Sequence, residues 1–388
     1  MKQIYTLTHM PSIKSILLMA LCHITLLAAQ PAAAQEKPLA IEEIDEDRTK
    51  RGIIPAPVAY YTPNTKFAFG ATVIGYLKLR SKTDTSFTRL SIARFFTDFT
   101  TNRQTHQWLF WNIFTRDEKY FIRGEVRHRV YRDRFFGIGN ETPDEAEEIF
   151  RYKYISARVA PLKNIGNRVF IGPEVQATNY YETELNPADG ELQSQLLTGQ
   201  IPGYRGGVNI GLGIAVINDN RNNTAFPSSG YYLEASAHRF SESFGGDFSY
   251  NNYNFIASKY WGLKPDNVFA VNAVVNLNNG DVPVQRLATA GGEQILRSYT
   301  RNRFLANNFA GVQAEYRFPL FWRLGMVAFA GAGDVFNEFS ETSFSTLKYS
   351  VGTGFRLRVL PDEKLHSRLD IGFGQEGFAI NVGIGEAF

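Results

Sequence analysis

The strongest constraint on this chain is a two-residue alternation whose polar face mixes charge with glycine. In residues 348–360, Tyr349, Val351, Phe355, Leu357 and Val359 share one parity, while Lys348, Ser350, Gly352, Gly354, Arg356 and Arg358 share the other. Residues 378–388 set Phe378, Ile380, Val382, Ile384 and Phe388 against Ala379, Asn381, Gly383, Gly385 and Ala387. Upstream, Gln313, Glu315 and Arg317 oppose Val312, Ala314 and Tyr316. Arg123, Glu125, Arg127 and Arg129 likewise oppose Ile122, Val126 and Val130. Side chains alternate across a strand, so each run has one apolar and one polar face.

A soluble β-sandwich also alternates, but glycine on its solvent face only weakens the strand. A barrel interior accommodates glycine beside water or a plug, and charges that pair or stay wet. Beyond the N-terminal segment no run reaches about eighteen consecutive apolar residues, so no membrane-spanning helix is expected. Short turns (115–119, 161–167, 262–267 and 361–367) take turns with long loops (136–148, 183–204 and 279–308). Outer-membrane barrels have short periplasmic turns and long extracellular loops in that order. Trp261 and Trp322 lie beside short turns, where an interfacial aromatic belt belongs. The predicted fold is therefore all-β, a transmembrane antiparallel β-barrel. Its strand-length runs number about fifteen, and the even count of single-chain barrels makes that sixteen, with fourteen as the alternative. The best sixteenth strand is IIPAPVAYY, residues 53–61, although two prolines make it a poor one.

Residues 1–34 read as a secretory signal peptide, with Lys2 and Lys14, an apolar core, and an A-x-A cleavage site before Gln35. Its removal takes the net charge from +3 to +1 and takes away Cys22, the one cysteine. Leu21 is too large for the position before a lipidated cysteine. The near-neutral balance gives no argument for a nucleic-acid partner, and no thiol remains for a disulfide or a cysteine metal site. Residues 35–62 read as a solvated periplasmic linker, acidic, then basic, then proline-rich. The barrel is assigned to 63–388.

Four stretches carry a family resemblance: FFGIGNET (135–142), NDNRNNTAFPSSGYYLEAS (218–236), GGEQILRSY (291–299) and AEYRFPLFWRLGMVAFAGAGDVF (314–336). In this order they resemble the bacterial surface antigen barrels, the BamA/TamA-like outer-membrane assembly superfamily. The resemblance covers roughly residues 55–388. It implies a sixth extracellular loop folded back into the lumen, with the motif at Leu296, Arg297, Ser298 and Tyr299. In the family the arginine meets an acid on the inner wall. A guanidinium in a lumen needs such a partner, and its planar fork suits a carboxylate.

This sequence departs from the pattern twice. Ser298 stands where the family has glycine, and the facing strand, with Phe329, Gly331 and Gly333, lacks the family's acid. Glu315 is the first choice of replacement and Asp370 the second, both on lumen parity. Arg301 and Arg303, beyond the motif, are expected to be solvated. The chain end resembles a barrel-insertion signal at Asn381, Gly383 and Phe388, with Glu386 where a hydrophobic residue is usual. The stretch before the barrel is too short for a polypeptide-transport-associated domain, so the resemblance implies a barrel without one.

By resemblance, the role lies in outer-membrane biogenesis: inserting barrel proteins, or moving a polypeptide or lipid. It would work through a weak seam between the first and last strands, loosened by Gly383 and Gly385, with no cofactor. The implied partners are outer-membrane lipid, other barrel proteins, and a periplasmic protein supplying client binding. Two other classes stay open: a passive pore whose arginine-rich inner face favours anions, and a non-transporting surface antigen. An enzyme is not expected. There is no G-x-S-x-G or H-E-x-x-H, and GFGQEG at 372–377 lacks the helix that a dinucleotide fingerprint needs. His128 falls on the apolar parity near Asn112's run, but no serine pairs with it.

Overall fold

The structure is a computed structural model that describes residues 50–62, 65–79, 88–186, 194–196, 198, 201–292, 294–360 and 364–388. The expected signal peptide and most of the expected linker lie outside these residues. The first strands are β1 (Lys50–Thr62), β2 (Lys66–Lys78), β3 (Ser91–Thr100), β4 (Thr105–Phe114), β5 (Tyr120–Phe135) and β6 (Glu148–Asn164). Then come β7 (Val169–Asn186), β8 (Gly207–Asp219), β9 (Gly230–Phe240), β10 (Tyr250–Lys264) and β11 (Asn267–Gly280). A short hairpin follows, β12 (Ala288–Ala290) and β13 (Phe304–Ala306). The chain ends with β14 (Asn308–Phe321), β15 (Leu324–Phe336), β16 (Lys348–Leu360), β17 (Leu365–Gly374) and β18 (Gly377–Ile384).

Sixteen of these form one antiparallel sheet in chain order, and β12–β13 pair separately within the loop between β11 and β14. The sheet curls until β1 and β18 come close. No ladder joins them among the described residues. The result is a sixteen-stranded barrel left open along one seam, in agreement with the expected count.

β1 corrects the expected boundary at residue 63. Residues 50–62 belong to the sheet, with Pro55 opposite Val73 and Pro57 opposite Ala71. Prolines are tolerated here because, among the described residues, β1 pairs only with β2, and an edge strand can spare alternate N–H groups.

The two faces separate as the alternation requires. Phe69 on β2, Phe99 on β3, Ile214 on β8 and Phe255 on β10 are exposed outward. Arg123, Glu174, Asn272, Glu315, Arg317, Arg356 and Asp370 are buried inward. At the long-loop end, Tyr131, Phe135, Phe150, Tyr152 and Tyr180 pack with Leu305 of β13. That aromatic cluster seats the inner hairpin against the wall. The GFGQEG stretch is the end of β17, a turn at Gln375 and Glu376, and the start of β18.

Candidate functional site

The loop between β11 and β14 enters the barrel through a tight turn. Gly291 and Gly292 have φ of 109° and 118°, and a Cβ on Gly291 would lie 2.8 Å from the Tyr299 Cβ. The Gly292 N–H donates to the Tyr299 carbonyl at 3.2 Å, and the Tyr299 N–H to the Leu296 carbonyl at 3.0 Å. The positive φ falls on Leu296 (53°) rather than Ser298. Serine at the family's glycine position is therefore unstrained. Leu296 is buried with Ile295, Tyr299 and Phe304.

This turn delivers Arg297 to the inner wall, where it is 0% exposed. Its Nη1 donates to Asp370 Oδ2 at 2.9 Å, and its Nη2 to Gln313 Oε1 at 3.2 Å. The same Nη2 also bonds Glu315. Both expected acids are thus engaged at once, from β14 and β17. The guanidinium lies over the Phe329 ring, 4.0 Å from its centre, so the strand lacking the family's acid supplies an aromatic face instead. The lumen glycines form the berth. A Cβ on Gly372 would sit 2.7 Å from the Arg297 carbonyl carbon, and one on Gly374 would strike the Ser298 hydroxyl. Gly331 lies against Gln313, where a Cβ would come within 3.0 Å, and Gly333 lies against the β14 backbone.

A second layer of charge was not assigned from the sequence. Arg356 donates to Asp370 Oδ1 at 2.6 Å and to Glu386 Oε2 at 2.8 Å. Arg317 donates to Glu315 Oε1 at 2.7 Å and to the Phe388 carbonyl at 2.9 Å. His366 Nδ1 lies 2.9 Å from Glu386 Oε1. Their signal was present: Arg317 and Arg356 sit on lumen parity, and Glu386 breaks an apolar pattern.

Glu386 also corrects the outward parity expected for Phe388. Phe388 does not continue the outward face of Phe378 and Ile384. β18 stops at Ile384, Gly385 adopts φ of 85°, and its N–H donates to the His366 carbonyl at 2.7 Å. The tail then turns into the lumen. Glu386 enters the arginine layer, and Phe388 packs with Phe226, Tyr260, Val268 and Ala270. Asn381 faces inward and donates to the Arg297 carbonyl at 2.8 Å. Gly383 leaves room for Arg368, whose Nε would be 2.8 Å from a Cβ there. The cause is local: a left-handed glycine permits the turn, and a buried carboxylate must follow its cations.

Arg303 is a further correction. It is buried, donating to Asp144 at 2.9 Å and forming an ion pair with Glu376 at 2.8 Å, with its guanidinium 4.7 Å from the Phe136 ring centre. It ties the inner loop to the β5–β6 loop and the β17–β18 hairpin. Arg301 is reached by solvent but faces the inner wall, in the field of Asp133, Tyr131 and Tyr152, and is not the outer surface residue expected. The FFGIGNET stretch joins the same assembly: the Gly139 N–H donates to the Leu305 carbonyl at 2.6 Å, and Asn140 to the Val335 carbonyl at 2.9 Å. In the β8–β9 connection, the Pro227 carbonyl accepts from Arg317 at 3.3 Å. On the outer wall, His128 lies 2.7 Å from Gln107 and 3.1 Å from the Tyr181 hydroxyl. Among the described residues no group of His, Cys, Asp and Glu is placed to hold a metal.

Comparison with known proteins bears on the family and the fold. Residues 153–388 match the Omp85 superfamily domain. The chain is similar to BamA from Haemophilus ducreyi lacking POTRA domains 1–3, with a TM-score of 0.55 and 14% identity, over 87% of this chain and 69% of that one. It is also similar to CdiB from Acinetobacter baumannii, with a TM-score of 0.53 and 11% identity, over 87% of this chain and 65% of that one. At these identities the likeness is one of fold. No curated protein matches the chain. The domain match spans more than half of the sequence, and it includes the inner loop, the arginine layer and the last strand: the chain belongs to the Omp85 superfamily.

Proposed function

We propose that this protein is an outer-membrane barrel acting in outer-membrane biogenesis, where it inserts barrel proteins or moves a polypeptide or lipid through its seam. The observation that carries this reading is the state of the last strand. Among the described residues β18 is laddered to β17 alone, and its tail is held in the lumen by Arg317 and Arg356 instead of extending along β1. A strand with one free edge is a template for another chain, which a barrel ordinarily abolishes by closure. The Arg297 cluster ties the inner loop to β14, β17 and β18 beside that edge. The role needs no catalytic group and no cofactor. Outward phenylalanines and the short-turn tryptophans fit a lipid surround.

The test is depletion in cells. Abundance of other outer-membrane barrels should fall, and a variant with cysteines joining β1 to β18 should restore it only under reducing conditions. Unchanged barrel abundance on depletion contradicts the assembly role. A passive anion-leaning pore has one specific observation in its favour. On the inner wall, Arg94 and Arg127 flank Trp108, with guanidinium carbons 4.8 and 4.3 Å from the ring centre. In planar bilayers the pore reading requires a large, stable, anion-selective conductance, whereas the assembly reading predicts a small and unsteady one.

A further inference from the structure

On the outward face of β9, β10 and β11 the wall is interrupted. Ala257 of β10 pairs with Ala273 of β11 and with Leu233 of β9, while Lys259 pairs with Val271 and Tyr231. The two facing alanines leave a furrow between bulkier neighbours, a groove of about 380 Å³ lined by Tyr231, Leu233, Lys259, Trp261, Val271 and the alanines. Its walls are apolar, apart from one end. There the exposed Lys259 ammonium lies 5.7 Å from the Tyr231 ring centre and 5.8 Å from that of Trp261. No carboxylate pairs with it among the described residues.

A cation on the outward face of a barrel is costly at depth and becomes tolerable near the interface or beside an anion. Lys259 sits at the short-turn end, next to an indole and a phenol that each combine an apolar body with a hydrogen-bond donor. We propose that this groove binds an anionic glycerophospholipid: one acyl chain lies along the Ala257–Ala273 furrow, and the headgroup phosphate is held by Lys259 with Tyr231 and Trp261. Charge complementarity and the alanine furrow select this ligand. An aromatic belt with a snorkelling lysine accounts for the head of the groove but does not call for the furrow beneath it. The site lies on strands remote from the seam in the sheet order, so it marks a fixed lipid position on the wall and not the moving edge.

The proposal rests on the membrane reading above, and native mass spectrometry of the full-length protein in mild detergent tests it. With equimolar phosphatidylglycerol and phosphatidylcholine, the wild type should carry several-fold more phosphatidylglycerol. Lys259→Ala should bring the two lipids level, and Ala273→Leu, which fills the furrow, should lower both. Equal binding of the two lipids by the wild type, or a preference that survives Lys259→Ala, overturns the proposal in favour of annular lipid alone. Unboiled gels run in parallel distinguish the two failures. Heat-shifted mobility with equal lipid binding removes the lipid site only. Loss of the heat shift in the wild type removes the membrane reading and the site with it.

Discussion

Glu386, two residues from the C-terminal end, accepts a 2.8 Å hydrogen bond from Arg356 Nε on β16. The bond explains a carboxylate in an otherwise apolar terminal pattern: the last residues are an inner latch and not an outer strand. Glu386→Ala should free the tail and leave Arg356 short of one partner. Removing one member of a buried pair costs about 3–5 kcal/mol in dry sites and less where lumen water enters. The heat-induced loss of the folded band on unboiled gels should therefore fall to a lower temperature. Deleting Phe388, which Arg317 holds through its carbonyl, should have a smaller effect in the same direction.

Arg297 is shared by two acids, so its variants should be asymmetric. Arg297→Ala removes the one side chain that ties the inner loop to both Glu315 and Asp370 and should be the most destabilising of the three, because it frees the loop. Glu315→Ala and Asp370→Ala should each cost less, because the other carboxylate still holds Arg297, while Arg317 and Arg356 keep Glu386. The Arg297/Glu315 double variant should show coupling of about 0.5–3 kcal/mol in thermal unfolding. Additive losses would place the two side chains out of contact.

Arg303 and Arg301 provide a contrast within one loop. Arg303 binds Asp144 and Glu376 and is buried, whereas Arg301 is exposed. Arg303→Ala should lower stability by about 1–3 kcal/mol, in the range for lost charged hydrogen bonds. Arg301→Ala should cost less, about 0.5–1 kcal/mol, because its guanidinium stays solvated while facing Asp133. Negligible effects of both variants would mean that the loop stands outside the barrel.

The glycine berth can be tested by filling it. Gly372→Val would force a Cβ to within 2.7 Å of the Arg297 backbone, which has no flexible side-chain atom to yield. The inner loop should be displaced, and trypsin should then cut after Arg297 in the folded barrel. Gly75→Ala is the control, since its nearest neighbour would be 3.8 Å away. Resistance to trypsin in both variants would show that the loop does not depend on the berth.

Much of the architecture was legible because alternation is a strict physical signal. The lumen parity of Glu315, Arg356 and Asp370 followed from counting by twos, and so did the outward parity of Val351 and Phe378. The inward loop and Arg297 needed the family resemblance, since a surface loop can carry the same residues. Three features were only partly legible or hidden, because the third dimension decides them. Residues 53–61 were the best sixteenth strand but a poor one, since Pro55 and Pro57 argue against it until β1 is known to be an edge. Arg303 reads as solvated until the β5–β6 loop is folded over it. Phe388 keeps outward parity on paper, but Gly385 reverses the chain and resets the count.

The central claim is that β18 is a one-sided strand beside an open seam, held there by its latched tail. Hydrogen–deuterium exchange of the purified barrel tests it most directly. Amides of β1 and β18 should exchange faster than those of β5–β7, which are laddered on both sides, and Glu386→Ala should raise exchange further in residues 377–388 while leaving β5–β7 unchanged. Protection of β1 and β18 equal to that of β5–β7, unaffected by Glu386→Ala, would show a closed barrel and contradict the account.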